Sequence, residues 1–256
     1  MLLEVRDLHV VVGGKPVLDG VNLSVDYGET VLLLGPNGSG KTSLLQAIMG
    51  NPKYEVVKGS IIFRGRDVTD LPVEERVRLG LALSFQFTPK IRGLTVRELL
   101  EEICEKRRFS SNDIQLLVSA LNVKHLLDRS LNVGFSGGEM KKVELLLLLA
   151  QKPLLALLDE PDSGVDVENI AVLGRVLNYY LNGSYGDFES SLPSRPSALI
   201  VTHLGYIARF LNASRAYVVI DGKIVCHGKA EDVVDVILKH GFEKCIACYR
   251  GRALQC

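Results

Sequence analysis

Eight consecutive residues, Gly35-Pro36-Asn37-Gly38-Ser39-Gly40-Lys41-Thr42, constrain this chain more than any other feature. They match G-x-x-x-x-G-K-[ST] and follow Val31-Leu32-Leu33-Leu34, an unbroken apolar run of the kind a strand buried on both faces requires. A helical pattern runs from Lys41 to Met49, and Gly50-Asn51-Pro52 ends it. Strand, glycine-rich loop and helix in that order let the backbone curl until several N–H groups face one phosphate. The positive end of the helix stands behind them. In this arrangement Lys41 reaches the β- and γ-phosphates, and Thr42 lends its hydroxyl oxygen to Mg²⁺. A nucleoside triphosphate with Mg²⁺ is the expected ligand.

The surrounding pattern reads as α/β. Residues 2–34 give three strands, with a Gly13-Gly14 turn and alternating apolar positions from Val17 to Val25. Further strands are expected at Gly59–Phe63, Leu154–Leu158, Ala198–Val201 and Ala216–Ile220, the last closed by Asp221-Gly222 onto Lys223–Cys226. Val96, Leu99, Leu100 and Ile103 fall on one helical face, and Ser110 with Asp113 predicts a capped helix ending near Leu121. The Leu-rich stretch after Gly137-Gly138 predicts a helix buried nearly all round. Residues 88–131 contain helices without a clear strand, which predicts a helical subdomain inserted into an α/β core. Residues 183–197 read as a loop.

Leu154–Leu158 ends in Asp159-Glu160. Ligands of open parallel sheets sit beyond the carboxyl ends of the strands, so Asp159 is placed to hold Mg²⁺ and Glu160 to accept a proton from an attacking water. An apolar run ending in two acids is common at strand ends; the phosphate loop gives this one its functional weight. His203, after Val201-Thr202, and Gln86, in Ser84-Phe85-Gln86-Phe87, have a structural reading by default.

Composition excludes several classes. Thirty Lys and Arg balance thirty Asp and Glu, so the charge footprint of a nucleic-acid binder is missing. Trp is absent and aromatics are 6%, which argues against stacking platforms. The longest apolar run, Leu145–Ala150, falls far short of the roughly 20 residues of a membrane span, so no direct membrane insertion is expected. The start lacks the pattern of a secretory signal, and five scattered cysteines do not form a disulfide scaffold; a cytoplasmic location is expected.

Phe135-Ser136-Gly137-Gly138-Glu139 precedes the Asp159 strand. Together with the phosphate loop, Gln86, Asp159-Glu160 and His203, it makes the chain resemble the ABC ATPase family over essentially its whole length. The resemblance implies one ATP-binding domain over residues 1–256: an α/β P-loop NTPase core with an antiparallel β subdomain and an inserted helical subdomain at about 88–131. It implies an ATP-dependent, head-to-tail homodimer in which Ser136, Gly137 and Gly138 cap the ATP held by the other copy. Gln86 would then sense Mg²⁺ and the lytic water, His203 would contact the γ-phosphate, and Asp162–Asp166 would cross the interface. The aromatic residue that the family usually stacks on adenine is missing, since no Phe, Tyr or Trp precedes Tyr27; Val11 or Val12 takes its place.

Within the family, Gly50–Val56, Leu83–Phe87, Asn132–Glu139, Asp159–Asp166 and Gly222–Val225 resemble the SufC-type branch, the soluble ATPases of iron–sulfur cluster assembly. That likeness implies SufB-like and SufD-like scaffold subunits as partners. The alternative is the ATP-binding subunit of a membrane ABC transporter, although such subunits usually carry Leu-Ser-Gly-Gly-Gln where this chain has Phe135 and Glu139. A nucleic-acid or ribosome-directed ABC protein ranks behind both, given one cassette and no net charge. Met140 departs from the SufC-type pattern, in which a Lys would help an ion pair position Glu160. The tail, about 244–256, carries Cys245, Cys248 and Cys256; a partly exposed terminus is expected ahead of a metal site with His240.

Overall fold

The computed structural model describes residues 1–84, 89–107, 110–182, 195–202 and 206–249. Strands β1 (Leu3–Val12) and β2 (Lys15–Val25) form a hairpin across Gly13 and Gly14, both with positive φ. β3 (Thr30–Leu34) is buried throughout and leads through the phosphate loop into helix α1 (Lys41–Met49), which Gly50 caps at φ 81°. Next come β4 (Glu55–Phe63), β5 (Arg66–Asp67), α2 (Val73–Leu79) and β6 (Leu81–Ser84). The helical segment holds α3 (Val96–Arg107) and α4 (Ser111–Ala120), the latter capped by the Ser110 hydroxyl at 3.1 Å from the Asp113 N–H. The chain continues with α5 (Gly137–Ala150), β7 (Leu155–Asp159), α6 (Val167–Leu181), β8 (Ser197–Val201), β9 (Arg215–Ile220), β10 (Lys223–Lys229), α7 (Ala230–His240) and α8 (Glu243–Tyr249).

Two sheets result. β2-β1-β4-β5 is antiparallel, and β10-β9-β3-β8-β7-β6 is parallel except where β10 turns back on β9. The inner strands of the second sheet serve two cores at once. Val31, Leu33, Leu155, Leu157, Leu199 and Val201 point to one side, where α1 and the antiparallel sheet pack. Leu32, Leu34, Ala156, Leu158, Ala198 and Ile200 point to the other, against α5 and α6. Period-two alternation with both faces covered accounts for the unbroken apolar runs.

Several boundaries move. β4 begins at Glu55 and not at Gly59, because its exposed first residues are held by pairing with Val10 and Val11 and not by an apolar face. β2 begins at Lys15, paired with Val12. Residues 243–249, expected as part of an exposed tail, form α8, and Cys245 in it is 2% exposed. Its thiol hydrogen-bonds with that of Cys226 on β10, and burial pushes it up to about 11. Among the described residues no group of three or more His, Cys, Asp or Glu is placed to hold a metal ion; Cys256 lies outside them.

Helix α2 is anchored by a buried cation. Arg76 donates through Nη1 to the Ala47 and Ile48 carbonyls at 2.9 and 2.8 Å. Its Nε reaches Leu71 O at 2.8 Å and its Nη2 reaches Thr69 O at 2.7 Å. Desolvation lowers its pKa to about 10, so it remains charged at neutral pH, opposite the negative end of α1. Arg76→Leu would take the side-chain donor from all four carbonyls, of which Ala47 O keeps the Gly50 N–H at 3.0 Å, and each buried group left unsatisfied costs about 1–3 kcal/mol. We expect a loss of about 3 kcal/mol or more in urea unfolding, with Arg76→Lys recovering only part of it because an ammonium lacks the planar fork.

Candidate functional site

The phosphate loop leaves β3 at the carboxyl edge of the parallel sheet. Gly35 is required there by space: a β-carbon would stand 2.2 Å from the Val219 carbonyl of the neighbouring strand. Lys41, 4% exposed, turns back over the loop and donates to the Gly35 and Pro36 carbonyls at 2.9 and 2.7 Å. Burial holds its ammonium below the usual lysine range, while Glu160 and Asp159 pull it back up. The ammonium therefore waits inside the curl where an anion would be received.

Thr42, in the first turn of α1, donates its hydroxyl to Asp159 Oδ1 at 3.2 Å, joining the loop to the first acid of the pair across the sheet. Asp159 is 1% exposed, and burial raises its carboxyl above the usual range against the opposing pull of Thr42. Its Oδ2 has no hydrogen-bond partner, and neither does the buried Ser39 hydroxyl in the loop. An unsatisfied buried carboxylate oxygen is costly unless something binds it. Paired with the Thr42 hydroxyl, it supplies the hard oxygen ligands that Mg²⁺ takes alongside waters and phosphate. The residues present fit that ion.

Glu160 follows with φ 49°, a left-handed conformation that a side-chain-bearing residue adopts at a cost of about 1 kcal/mol or more. Its N–H donates to Val201 O at 3.1 Å, and its carbonyl accepts from Ser163 N–H at 3.1 Å. These two bonds hold the turn. Glu160 lines a pocket of about 900 Å³ together with the loop residues Asn37–Thr42 and Ser163.

Apolar residues line this pocket as well. Val11 lines it, as does Pro16. Val57, which the sequence does not single out, lines it too and is 55% exposed. The β1–β4 register slips between His9↔Lys58 and Val10↔Val56, so Val57 is the extra residue of a bulge that faces the pocket. His9 and Asp19 line it too, with the imidazole Nδ1 3.1 Å from the carboxylate.

Ser136, Gly137 and Gly138 do not line this pocket. They open α5 in a capping box: Ser136 Oγ accepts from Glu139 N–H at 3.3 Å, and Ser136 N–H donates to Glu139 Oε2 at 2.7 Å. Gly138 packs where a β-carbon would meet Asn169 Nδ2 at 2.6 Å, against the Asp166 cap of α6. Asp162 accepts from the Thr202 hydroxyl at 2.8 Å. After Met140, which packs on the core, Lys141 pairs with Glu144 at 3.2 Å inside α5 and draws the Asp159 carboxyl downward. Gln86 and His203 lie outside the described residues. Their neighbours are ties: Ser84 Oγ accepts from the Asp159 N–H at 3.2 Å, and Thr202 is fully buried.

Residues 18–163 match the family model described as ABC transporter. A probable ABC transporter ATP-binding protein of Streptococcus pyogenes is 38% identical over 239 residues, covering 90% of this chain and 89% of the relative. The iron–sulfur cluster assembly protein SufC of Plasmodium falciparum is 34% identical over 257 residues, covering 95% of this chain and 71% of that protein. Among solved structures, the ADP conformation of an ATP-binding cassette of an ABC transporter superposes with a TM-score of 0.72 at 26% identity, covering 98% of both chains.

Proposed function

This chain belongs to the ABC transporter family of ATP-binding cassettes, and on that premise we propose that it is a SufC-like ATPase driving iron–sulfur cluster assembly on a SufB/SufD-type scaffold. The observation that carries the ATPase reading is the meeting of Thr42 and Asp159 at 3.2 Å, with Thr42 and the adjoining Glu160 both lining the loop pocket. Lys41 and the loop amides hold the β- and γ-phosphates. Bound between Thr42 and Asp159, Mg²⁺ would neutralise phosphate charge. Glu160 takes a proton from the water that attacks the γ-phosphorus as the bond to ADP breaks, giving ADP and phosphate. Gln86 reads that water and the ion, and His203 contacts the γ-phosphate.

Ser136, Gly137 and Gly138 face the ATP of a second copy, which agrees with their place outside this chain's own pocket. ATP then belongs to two half-sites and favours the closed dimer, because it binds that state more tightly than the open one. The SufC-type role rests on Asn132–Glu139 and Asp159–Asp166 and on the likeness to the Plasmodium protein. Its streptococcal relative's name supports the second reading, a transporter's ATP-binding subunit. No helix among the described residues is long and apolar enough to cross a membrane, so in either case the chain would act with partners.

Affinity purification from the native cell, with bound proteins identified by mass spectrometry, separates the two. Co-purification with a SufB-like or SufD-like scaffold from the cytoplasmic fraction is the expected result. Recovery with a multi-span permease in the membrane fraction would replace it with the transporter reading.

A further inference from the structure

The helical segment is joined to the core by two strips of chain that are zipped together. Ile91 N–H donates to Leu131 O at 3.0 Å, Leu131 N–H to Leu94 O at 2.8 Å and Arg97 N–H to Leu127 O at 2.8 Å, around a Thr95↔Ser130 bridge. At the end of this zipper stands Asn132, fully buried, with φ 59°. Its Nδ2 donates to the Pro89 carbonyl at 2.9 Å, while its Oδ1 is buried with no partner. From there Arg129 carries the connection onward. Its guanidinium donates to Gly134 O at 3.2 Å and lies 4.8 Å from the Phe135 ring centroid, next to Ser136.

We propose that Asn132 is a positioning residue that ties Pro89 to the turn at Ser136, so that nucleotide at the phosphate loop is registered at Ser136 of the same chain. Pro89 follows Gln86 by three residues, and Ser136 follows Asn132 by four. Two requirements meet in this one side chain. Asparagine tolerates the left-handed backbone that bends the chain into the turn, and its buried amide finds in the Pro89 carbonyl an acceptor for its Nδ2 at 2.9 Å. A half-satisfied buried amide is otherwise an expense, which favours a role in setting geometry over one in stability alone. The inference rests on the roles given above to Gln86 and Ser136.

The test uses the full chain as wild type, Asn132→Asp and Asn132→Gly. Aspartate keeps the shape but turns the donor into an acceptor facing a carbonyl; glycine keeps the left-handed backbone and removes only the amide. Three quantities are read: affinity for a fluorescent ATP analogue with Mg²⁺, kcat for ATP, and hydrogen exchange over residues 133–141 with and without the non-hydrolysable analogue AMP-PNP. In wild type the analogue should slow exchange in that segment. In the variants nucleotide affinity should stay within about twofold, while the exchange response disappears and kcat falls about tenfold. Glycine carries the test if aspartate fails to fold. A kcat and exchange response within twofold of wild type in a folded variant would overturn the proposal. So would a wild-type chain that binds the analogue without any response over residues 133–141, or variants that lose affinity and kcat together. Absence of nucleotide binding in the wild type would instead bring down the ATPase reading, and this proposal with it.

Discussion

Glu160→Gln is expected to leave Mg-ATP bound and to cut steady-state hydrolysis by about 10²-fold or more, the share that a positioned general base contributes. The amide is isosteric with the carboxylate and can sit in the same φ 49° turn, whose backbone bonds to Val201 O and from Ser163 N–H do not depend on the carboxylate. Folding and nucleotide affinity should therefore survive while the proton acceptor is gone. With hydrolysis blocked, the doubly capped dimer should accumulate with ATP and vanish when ATP is washed out. Size-exclusion chromatography with light scattering reads this directly. A variant that hydrolyses within threefold of wild type would remove Glu160 from the role of base. One that stays monomeric at saturating ATP would remove the sandwich.

Lys41→Ala is expected to act earlier, on binding. Its ammonium is buried and held by two carbonyls at 2.9 and 2.7 Å, so its desolvation is already met before a phosphate arrives. Charge-assisted hydrogen bonds contribute about 1.5–3 kcal/mol, and removing the group should weaken ATP by about 10²-fold in equilibrium binding. The two substitutions thus differ in kind: the first separates kcat from affinity, whereas the second lowers both. An affinity unchanged in Lys41→Ala would mean that the loop amides alone hold the nucleotide.

Much of the site was legible because its chemistry is local. The loop, the Asp159-Glu160 pair and the Ser136 cap each declare themselves in a few adjacent residues set against an apolar run. Elements lacking that contrast were hidden. Helix α2 has only seven residues and buries an arginine beside Val73 and Val77, so its apolar face is too short to announce it. The exposed start of β4 is held by pairing, and pairing is a property of β1 as much as of β4. Val57 owes its place in the pocket to a slipped register, which no stretch of sequence displays. Cys245 was read with its neighbour Cys248, but its thiol meets Cys226 on a strand nearly twenty residues earlier. Gln86 and His203 remain expectations of the motif pattern, carried into the proposal by their positions in the chain.

The alternation of β7 between two cores has a chemical consequence. Leu157 belongs to one core and Leu158 to the other, and Asp159 comes next, paired with Val201 and in reach of Thr42. Sliding this strand by one residue against its neighbours would exchange the cores of every leucine and bring Leu158 or Glu160 to the Thr42 hydroxyl. Misfolded packing and the displacement of the Asp159 carboxylate would be a single event. Strand register, ordinarily a matter of stability, here also decides which atom is offered to the ion, so the same interlocking leucines that make the protein fold act as its gauge for placing one oxygen.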